Sequence, residues 1–324
     1  MRPLRPLMLL ATVTVASLAL APAKAQTYPD RPVRIVLPFG AGGVADITAR
    51  IVADALGQRL NQRFVVENTP GAGGIAAARA VLSSPADGYT LAMLTNGTAI
   101  SVPLFKSLPF NPLKDFVPIS SLGYFDFVVG TNATSSYKSM GDILKAAREN
   151  PGKLNVGTIN VGSSQNLSAE LLKSVANINF TIVPYRATPE VLVGLLRDDV
   201  QVMIDNYAAM KSALADKKIL AVATTGKTRS VALPNVPTVE EGGVKGYDVV
   251  SWNALFAPAG TPPEAVNKLN EALRAVLADE SVKKRALDLG IEAKASTPQE
   301  IGARLKGDIE KWGKVIERAN IPKQ

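Results

Sequence analysis

Short runs of β-branched and aromatic residues alternate along the chain with longer stretches in which apolar residues recur every three or four positions. The stretch ADITARIVADALGQRLN, for example, spaces Ile47, Ile51 and Leu60 so that they share one face of a helix. Strands and helices that alternate in this way build parallel sheets covered by helices, so we expect an α/β fold. The predicted strands are VRIVLPF, RFVVEN, YTLAMLT, FDFVVGT, KLNVGTI, NFTIVPY, VQVMID, ILAVATT and VVSWNALFAP.

The length of 324 residues favours two hydrophobic cores over one, because single cores rarely grow beyond about 250–300 residues. No long Gly/Ser or Pro-rich linker separates the halves. We therefore predict that the chain crosses between two lobes on extended segments near 123–131 and 247–263, with a cleft between the lobes. The predicted first domain comprises residues 26–124 and 252–324, and the second comprises residues 125–251.

The N-terminus is typical of an export signal. Arg2 and Arg5 precede the apolar run LMLLATVTVASLALA, and the residues Ala-Lys-Ala at 23–25 supply a small-x-small cleavage site. A membrane anchor is the alternative, but the run is short for a membrane-spanning helix of about 20 residues. We predict that residues 1–25 are a cleavable signal peptide and that the mature chain is exported.

Histidine and cysteine are both absent from the sequence. Their absence excludes Ser-His and Cys-His catalysis, disulfide bonds and the commonest metal ligands. Neither a P-loop nor acidic residues at metal-binding spacing occur. We therefore predict no catalytic residues, no metal and no cofactor. The net charge of +8 is scattered and aromatic residues are few, which argues against nucleic-acid binding.

The stretch PFGAGGVADITAR joins a predicted strand to a predicted helix through a loop that contains three glycines. Glycine lets a ligand approach the backbone, and the free amides at a helix start attract an anion such as a phosphate or a carboxylate. Asp46 in the first helical turn is either a cap for these amides or a ligand contact. The candidate binding residues here are Phe39, Gly40, Ala41, Gly42, Gly43 and Asp46.

Four more polar loops follow predicted strands, at the sheet edge where α/β proteins bind ligands. In one of them, Gly71, Gly73 and Ala76 match the G-x-G-x-x-A fingerprint of dinucleotide binding. No acidic residue ends a following strand at the expected spacing, so a close-packed helix start is the alternative interpretation. Candidates in the other loops are Thr95, Asn96, Gly162, Ser163, Ser164, Asn166, Tyr185, Arg186 and Asp205.

Two of these candidates carry a charge, and each has two interpretations. Arg186 either pairs with a ligand carboxylate or lies in solvent. Asp205 either accepts a hydrogen bond from a ligand amine or hydroxyl group or caps a helix. The loops together suit the binding of a small anion and lack groups that would transform it.

Seven further segments occur in a recognisable order and spacing: YPDRPVRIVLPFGAGGVADITAR, ENTPGAGGIAAARAV, PADGYTLAM, PFNPLKDFVPIS, VPYRATPEVL, LPNVPTVEEGG and SWNALFAPAGTPPEAVNKLNEAL. With the signal peptide, they resemble the Bug (TctC-type) extracytoplasmic solute receptors of tripartite tricarboxylate transport systems. The similarity covers essentially the whole mature chain. Each glycine motif is unspecific by itself, whereas the order of all the segments is specific.

The resemblance implies a two-domain periplasmic binding protein of type II, a Venus flytrap, that closes on a small carboxylate. It implies a receptor that is not an enzyme and that delivers its ligand to a membrane permease, and we expect a monomer. In this family the loop after the first strand grips the carboxylate. Carried across, Phe39–Gly43 would hold the carboxylate with help from Thr95 and Asn96, and the far side would comprise Ser163, Ser164, Tyr185 and Asp205.

Two departures from the family pattern fall on the far side of the expected cleft. Asn166 stands where the family usually has histidine, and Ala187 stands where it usually has glycine. The ligand is therefore left open among di- and tricarboxylates, amino acids, aromatic acids and neutral amides. The alternative functions are a ligand-sensing partner of a sensor kinase, an exported nucleotide-dependent enzyme and a structural exported protein.

Overall fold

The structure is a computed structural model of the chain and describes residues 28–324. The predicted signal peptide lies outside the described residues. All nine predicted strands form, and a two-residue strand near the C-terminus was not predicted. The strands are β1 (Val33–Leu37), β2 (Phe64–Asn68), β3 (Thr90–Thr95), β4 (Phe116–Asn132), β5 (Asn155–Ile159), β6 (Thr181–Tyr185), β7 (Val202–Asn206), β8 (Ile219–Thr224), β9 (Val250–Pro258) and β10 (Glu292–Ala293).

Several helices begin or end at residues that favour those positions. Ser139 and Thr297 each form a capping box at a helix start, and Asn61 and Asn177 end helices in the left-handed conformation. The helices are α1 (Val44–Leu60), α2 (Ile75–Leu82), α3 (Asn96–Leu104), α4 (Met140–Glu149), α5 (Ser164–Ala176), α6 (Thr188–Leu196), α7 (Tyr207–Ala215), α8 (Pro263–Ala278), α9 (Glu280–Leu287) and α10 (Pro298–Arg318), and a 3-10 turn (Ala72–Gly74) precedes α2.

The sheet is mixed, and its strand order is β2-β1-β3-β9-β4-β7-β5-β6, with β8 and β10 also paired to β4. Strand β1 is parallel to β2 and β3, and β5 is parallel to β6 and β7, as the alternation of strands and helices predicts. The prediction of purely parallel sheets is wrong for β4 and β9, which run antiparallel to their neighbours. The reason is that β4 leaves one half of the molecule and β9 returns to it, so the two strands run in opposite directions.

Strand β4 passes from one half of the sheet to the other. It pairs with β9 from Phe116 to Asp126 and with β7 and β8 from Phe127 onward. We call the part with β1–β3, β9, β10, α1–α3 and α8–α10 lobe 1, and the part with β5–β8 and α4–α7 lobe 2. The domain boundaries predicted near residues 124 and 252 remain predictions.

The apolar core covers both faces of the lobe 1 sheet and continues into lobe 2. On one face, Leu37 of β1 and Ile51 of α1 pack with Leu273 of α8. On the other face, a cluster that includes Ile100 and Trp312 is continuous with residues of lobe 2. The lobes are therefore in direct contact through α3, α5 and α10, and the loops at the carboxyl ends of β1, β3 and β5 lie near this contact.

Candidate functional site

The loop of lobe 1, residues 38–43, connects β1 to α1 and is largely exposed. Gly42 has a φ of 85°, a left-handed conformation that favours glycine. A methyl group placed on Gly40, Gly42 or Gly43 would meet no atom of residues 28–324 within 4 Å. Gly43 is the N-cap of α1 and offers no side chain to its amides. The loop therefore leaves room for a ligand beside the helix start.

Asp46 is only 3% exposed. It holds the loop of residues 38–43 in place through hydrogen bonds, and we call a side chain with this role a brace. Its Oδ2 accepts from the amide of Gly42 at 2.9 Å and from Arg50 Nε at 3.0 Å, and its Oδ1 accepts from Asn68 Nδ2 at 2.9 Å. Burial by itself raises the pKa of Asp46, but the hydrogen bonds from Arg50, Gly42 and Asn68 and the charge of Arg50 lower it below its ordinary value. Asp46 therefore satisfies the amide of Gly42, the residue before the N-cap, and a ligand contact by its side chain stays a prediction.

Thr95 and Asn96 stand at the end of β3, where α3 begins. Thr95 forms a capping box, with its Oγ1 accepting from the amide of Gly97 at 3.1 Å. Asn96 is fully buried. Its Oδ1 accepts from Trp312 Nε1 at 2.7 Å, and its Nδ2 donates to Ser164 Oγ at 2.8 Å. Asn96 thus links α10 of lobe 1 to α5 of lobe 2, and only its second Nδ2 hydrogen is left for the predicted ligand contact.

The loop of lobe 2, residues 160–163, connects β5 to α5 and has the same backbone arrangement as the loop of lobe 1. Gly162 has a φ of 81°, and its amide donates to Asn166 Oδ1 at 3.1 Å. The N-cap Ser163 accepts from the amide of Asn166 at 3.1 Å. A methyl group on Gly162 would lie 2.5 Å from Leu104 Cδ2 of α3. This loop therefore packs against lobe 1, and Asn166 braces it.

Asp205 ends β7 and is fully buried. Its Oδ1 accepts from Gln165 Nε2 at 2.9 Å and from the amide of Asn206 at 2.7 Å, and its Oδ2 accepts from Thr188 Oγ1 at 2.6 Å. Burial raises the pKa of Asp205, although these hydrogen bonds oppose the shift. The carboxylate joins the starts of α5, α6 and α7. Within residues 28–324, none of its hydrogen-bond partners carries a positive charge.

Tyr185 ends β6 and Arg186 follows it, and within residues 28–324 neither is among the hydrogen-bond partners of Asp205. The ring of Tyr185 packs against Gly157 and Gly194, and burial together with the charge of Asp199 raises the pKa of its hydroxyl group. Arg186 is exposed, and its backbone amide donates to Glu190 Oε2 at 3.2 Å. A ligand contact by Tyr185 or Arg186 stays a prediction.

The loop with the dinucleotide fingerprint packs closely onto α3. Gly73 has a φ of 62°, and a methyl group placed on it would lie 3.1 Å from the ring of Phe105. This packing agrees with the interpretation of residues 71–76 as a close-packed helix start. In residues 28–324, no group of acidic residues is arranged to hold a metal ion. No helix in the same range is long and apolar enough to cross a membrane.

Two buried amide groups were missed by the sequence analysis. Asn253 on β9 is 2% exposed, and its Nδ2 has no hydrogen-bond partner within residues 28–324. Asn206 is the N-cap of α7, and its Oδ1 likewise has no partner in that range. The sequence does mark Asn253 as unusual, because it is a polar residue inside the apolar strand SWNALFAP. Its pairing with Thr95 on β3 is a tertiary property that the sequence does not display.

Comparison with known proteins identifies close relatives over most of the chain. The family model described as tripartite tricarboxylate transporter family receptor (TctC) matches residues 48–321. Protein BugT of Bordetella pertussis is 30% identical over 298 residues, which cover 91% of this chain and 91% of BugT. Two solved structures are similar in fold and in sequence. R. palustris Rpa4515 with adipate is 33% identical with a TM-score of 0.80, covering 91% of this chain and 99% of that chain. MatC (Rpa3494) from Rhodopseudomonas palustris with bound malate is 31% identical with a TM-score of 0.75, covering 89% of this chain and 100% of that chain.

Proposed function

The chain belongs to the tripartite tricarboxylate transporter receptor family (TctC), and on that premise we propose that it captures a small carboxylate-bearing metabolite between its lobes and delivers it to the membrane permease of such a transporter. The resemblance to Bug (TctC-type) receptors is confirmed, as is the two-lobed α/β fold of periplasmic solute-binding proteins. Relatives of this kind are binding receptors, which supports a role without catalysis.

The observation that carries the proposal is the open loop of residues 38–43 at the start of α1. The first amides of a helix have no partner within the helix, and its dipole favours an anion by about 0.3–1 kcal/mol. The nearby acid, Asp46, is paired with Arg50 at 3.0 Å, so its charge is largely offset. The exposed loop therefore offers hydrogen-bond donors with little opposing charge.

Asn253 contributes a hydrogen-bond donor at the same end of the proposed cleft. It lies directly opposite Thr95 in the antiparallel pair of β3 and β9, and residues opposed in this way project on the same face. Its unpartnered Nδ2 adds a buried donor beside the carboxyl end of β3. A buried donor without a partner costs about 1–3 kcal/mol, which a ligand oxygen or a bound water would relieve.

The chemistry of the relatives agrees with an organic acid as ligand. The two R. palustris structures contain adipate and malate, which share a carboxylate with the ligand that we propose here. Whether this chain takes either compound is tested by thermal unfolding over a panel of acids. A ligand present at 100 times its dissociation constant adds about 2.7 kcal/mol to the free energy of unfolding.

A matched pair of variants tests which loop holds the carboxylate. Ala41 and Val161 are both exposed, one in each loop, so that an added acid at either position does not disturb a core. We expect Ala41→Asp to weaken binding of the acid at least tenfold, because it repels the ligand carboxylate, and Val161→Asp to change it by less than threefold. The dissociation constants are measured by calorimetry. Equal losses in the two variants, or a larger loss in Val161→Asp, would contradict the assignment to lobe 1.

Delivery to a permease requires a test in cells. We expect uptake of the radiolabelled acid to fail in a strain that lacks the receptor, and to return with the wild-type chain but not with Ala41→Asp. Undiminished uptake without the receptor, accompanied by loss of an acid-induced transcriptional response, would favour the sensor partner instead. Small-angle scattering with and without the acid tests closure, for which we expect a smaller radius of gyration in the bound state.

A further inference from the structure

The two lobes each contain a buried amide atom without a partner, and the two atoms have opposite hydrogen-bonding character. In lobe 1 the atom is Asn253 Nδ2, which is a donor, and in lobe 2 it is Asn206 Oδ1, which is an acceptor. Buried polar atoms in native proteins nearly always have partners. Asn253 lies beside the carboxyl end of β3 and Asn206 ends β7, so a ligand that reaches both atoms needs a hydrogen-bond acceptor at one end and a donor at the other.

The lobe 1 atom lies on the side of the sheet that α1 covers. Leu255, two residues after Asn253 and hence on the same face of β9, belongs to the core formed with Leu37 and Ile51. Helix α1 starts on this face directly after the open loop of residues 38–43. The donors at this end are the amides at the start of α1 and Asn253 Nδ2, whereas the amide of Gly42 is already bonded to Asp46.

The lobe 2 atom is fixed as an acceptor by its neighbour. Asn206 Nδ2 donates to Asp205 Oδ1 at 3.1 Å, which directs Asn206 Oδ1 elsewhere. Turning the amide over would place its oxygen against the carboxylate oxygen, so the assignment follows from the hydrogen bonds. Asp205 also accepts from Gln165 Nε2, and N–H groups can only donate. Oδ1 of Asp205 therefore acts only as an acceptor.

The balance of charge differs between the two ends. Asp46 in lobe 1 is paired with Arg50. Within residues 28–324, Asp205 has no ion-pair partner, and its contacts are the neutral residues Gln165, Thr188 and Asn206. Among the predicted site residues of lobe 2, only Arg186 is a cation, and it is exposed. A second carboxylate on the ligand would thus meet acceptors and a negative charge, whereas a donor would satisfy Asn206 Oδ1.

We propose that the cleft is polarised, with donors in lobe 1 and acceptors in lobe 2, and that its ligand is a monocarboxylate with an ammonium or hydroxyl group at the other end. This inference rests on the proposed function and narrows its substrate class to monocarboxylic amino and hydroxy acids, which excludes a hydroxy dicarboxylate such as malate. It distinguishes this chain from the R. palustris proteins, whose structures contain the dicarboxylates adipate and malate.

Calorimetry with three acids of equal carbon number tests the inference. The four-carbon set is 4-aminobutyrate, 4-hydroxybutyrate and succinate, and the six-carbon set is 6-aminohexanoate, 6-hydroxyhexanoate and adipate. In the set that fits the cleft, we expect the amino or hydroxy acid to bind at least about tenfold tighter than the dicarboxylate, which corresponds to about 1.4 kcal/mol. A dicarboxylate that binds equally well or better in both sets would overturn the inference and leave the proposed function intact. If no acid of either set binds, the inference is overturned, whereas the proposed function is overturned only if no acid of the thermal-unfolding panel stabilises the chain.

Two variants show whether the preference arises at the lobe 2 end. Asp205→Asn removes the charge at nearly constant shape, and we expect it to reduce the preference for the amino acid over the dicarboxylate by about tenfold. The preference is a ratio within one variant, so it remains measurable even if Asp205→Asn lowers the melting temperature. Arg186→Gln is the matched control, and we expect it to leave the ratio unchanged. If Arg186→Gln abolishes binding of the dicarboxylate while Asp205→Asn leaves the ratio as in the wild type, Arg186 is the recognition group and the inference is wrong.

Discussion

The loops of lobe 1 and lobe 2 share one backbone design and differ in what holds them in place. In both, a glycine with positive φ donates its amide to a side chain four residues later, Gly42 to Asp46 and Gly162 to Asn166. The brace is a charged group in lobe 1 and a neutral one in lobe 2. The lobe 1 loop has open space around its glycines, whereas the lobe 2 loop contacts Leu104 of the other lobe.

The difference shows that similar local geometry can serve two purposes. Because the lobe 1 loop is held electrostatically by Asp46 and Arg50, its outer surface stays free for a ligand. The lobe 2 loop is held by packing across the lobes, and the bond between Asn96 and Ser164 lies next to it. We interpret the first loop as the anion site and the second as part of the contact that sets the relative position of the lobes.

The largest expected effect comes from comparing Gly162→Ala with Gly42→Ala. Both changes place a side chain in the left-handed region, at about 1–2 kcal/mol, but only the first also forces an atom to 2.5 Å from Leu104. We expect Gly162→Ala to lower the free energy of unfolding by about 3 kcal/mol and Gly42→Ala by about 1–2 kcal/mol. Urea denaturation of the two variants measures the difference. Equal losses would mean that the lobe 2 loop is not locked by packing.

The next effect concerns the charged brace. Removing a buried carboxylate that accepts hydrogen bonds from charged and backbone donors costs about 1.5–3 kcal/mol, so we expect Asp46→Asn to lower the free energy of unfolding by about 2 kcal/mol at neutral pH. The folded-state pKa of Asp46 is lowered, so this stabilisation is complete above the unfolded pKa of about 4 and is lost as the pH falls through the folded pKa. Stability curves of wild type and Asp46→Asn from about pH 3 to pH 8 should converge at the acid end.

Asn166→Asp is the reciprocal control for that experiment. It puts a carboxylate at a 3% exposed position, where no ion pair is present among the described residues of the loop. Burial should raise the pKa of the new acid, so its penalty should be largest at neutral pH and should fade as the pH is lowered. As the pH falls, the stability difference between Asn166→Asp and wild type therefore shrinks because the unfavourable charge of the variant is neutralised. The difference between Asp46→Asn and wild type shrinks because the wild type loses a stabilising interaction. A penalty that grows toward low pH would refute this contrast between the braces.

A smaller effect is expected from the side-chain helix cap that the lobe 2 loop has and the lobe 1 loop lacks. Ser163 accepts from the amide of Asn166 at 3.1 Å, and replacing a serine N-cap by alanine costs about 1 kcal/mol. We expect Ser163→Ala to lower the melting temperature by a few degrees, because about 1 kcal/mol corresponds to roughly 2–4 °C in a chain of this size. Calorimetric melting curves provide the measurement, and an unchanged curve would show that the cap does not stabilise α5.

The smallest expected effect on stability comes from adding a side-chain N-cap to the lobe 1 loop. Gly43 caps α1 without a side chain, and a serine in this place gains only a few tenths of a kcal/mol. We expect Gly43→Ser to raise the melting temperature slightly and to weaken binding of the acid severalfold, since the hydroxyl group would compete for the amides that the ligand uses. Melting curves and calorimetric titration are run on the same sample. Unchanged affinity would indicate that the carboxylate lies elsewhere.

Much of the secondary structure could be predicted because it depends on local patterns. The strands of both lobes and the helix after PFGAGG follow from residue spacing, and the loops at the carboxyl ends of β1 and β5 follow from their glycines. The antiparallel pairing of β4 and β9 was missed, since direction within a sheet depends on the path of the whole chain. Asn253 was missed for the same reason, because its neighbour Thr95 is far away in sequence.

The sequence by itself determined the α/β class, the family and the position of the glycine loop that we propose as the anion site, because periodicity, glycine placement and motif order are local or sequential properties. Only the tertiary structure decided the roles of the polar side chains. Asp46 became a brace because Arg50 and Asn68 reach it, and Asn96 became a link between lobes because Trp312 and Ser164 converge on it. A hydrogen bond depends on distance and direction in space, and residues far apart in the chain acquire both only when the lobes pack together.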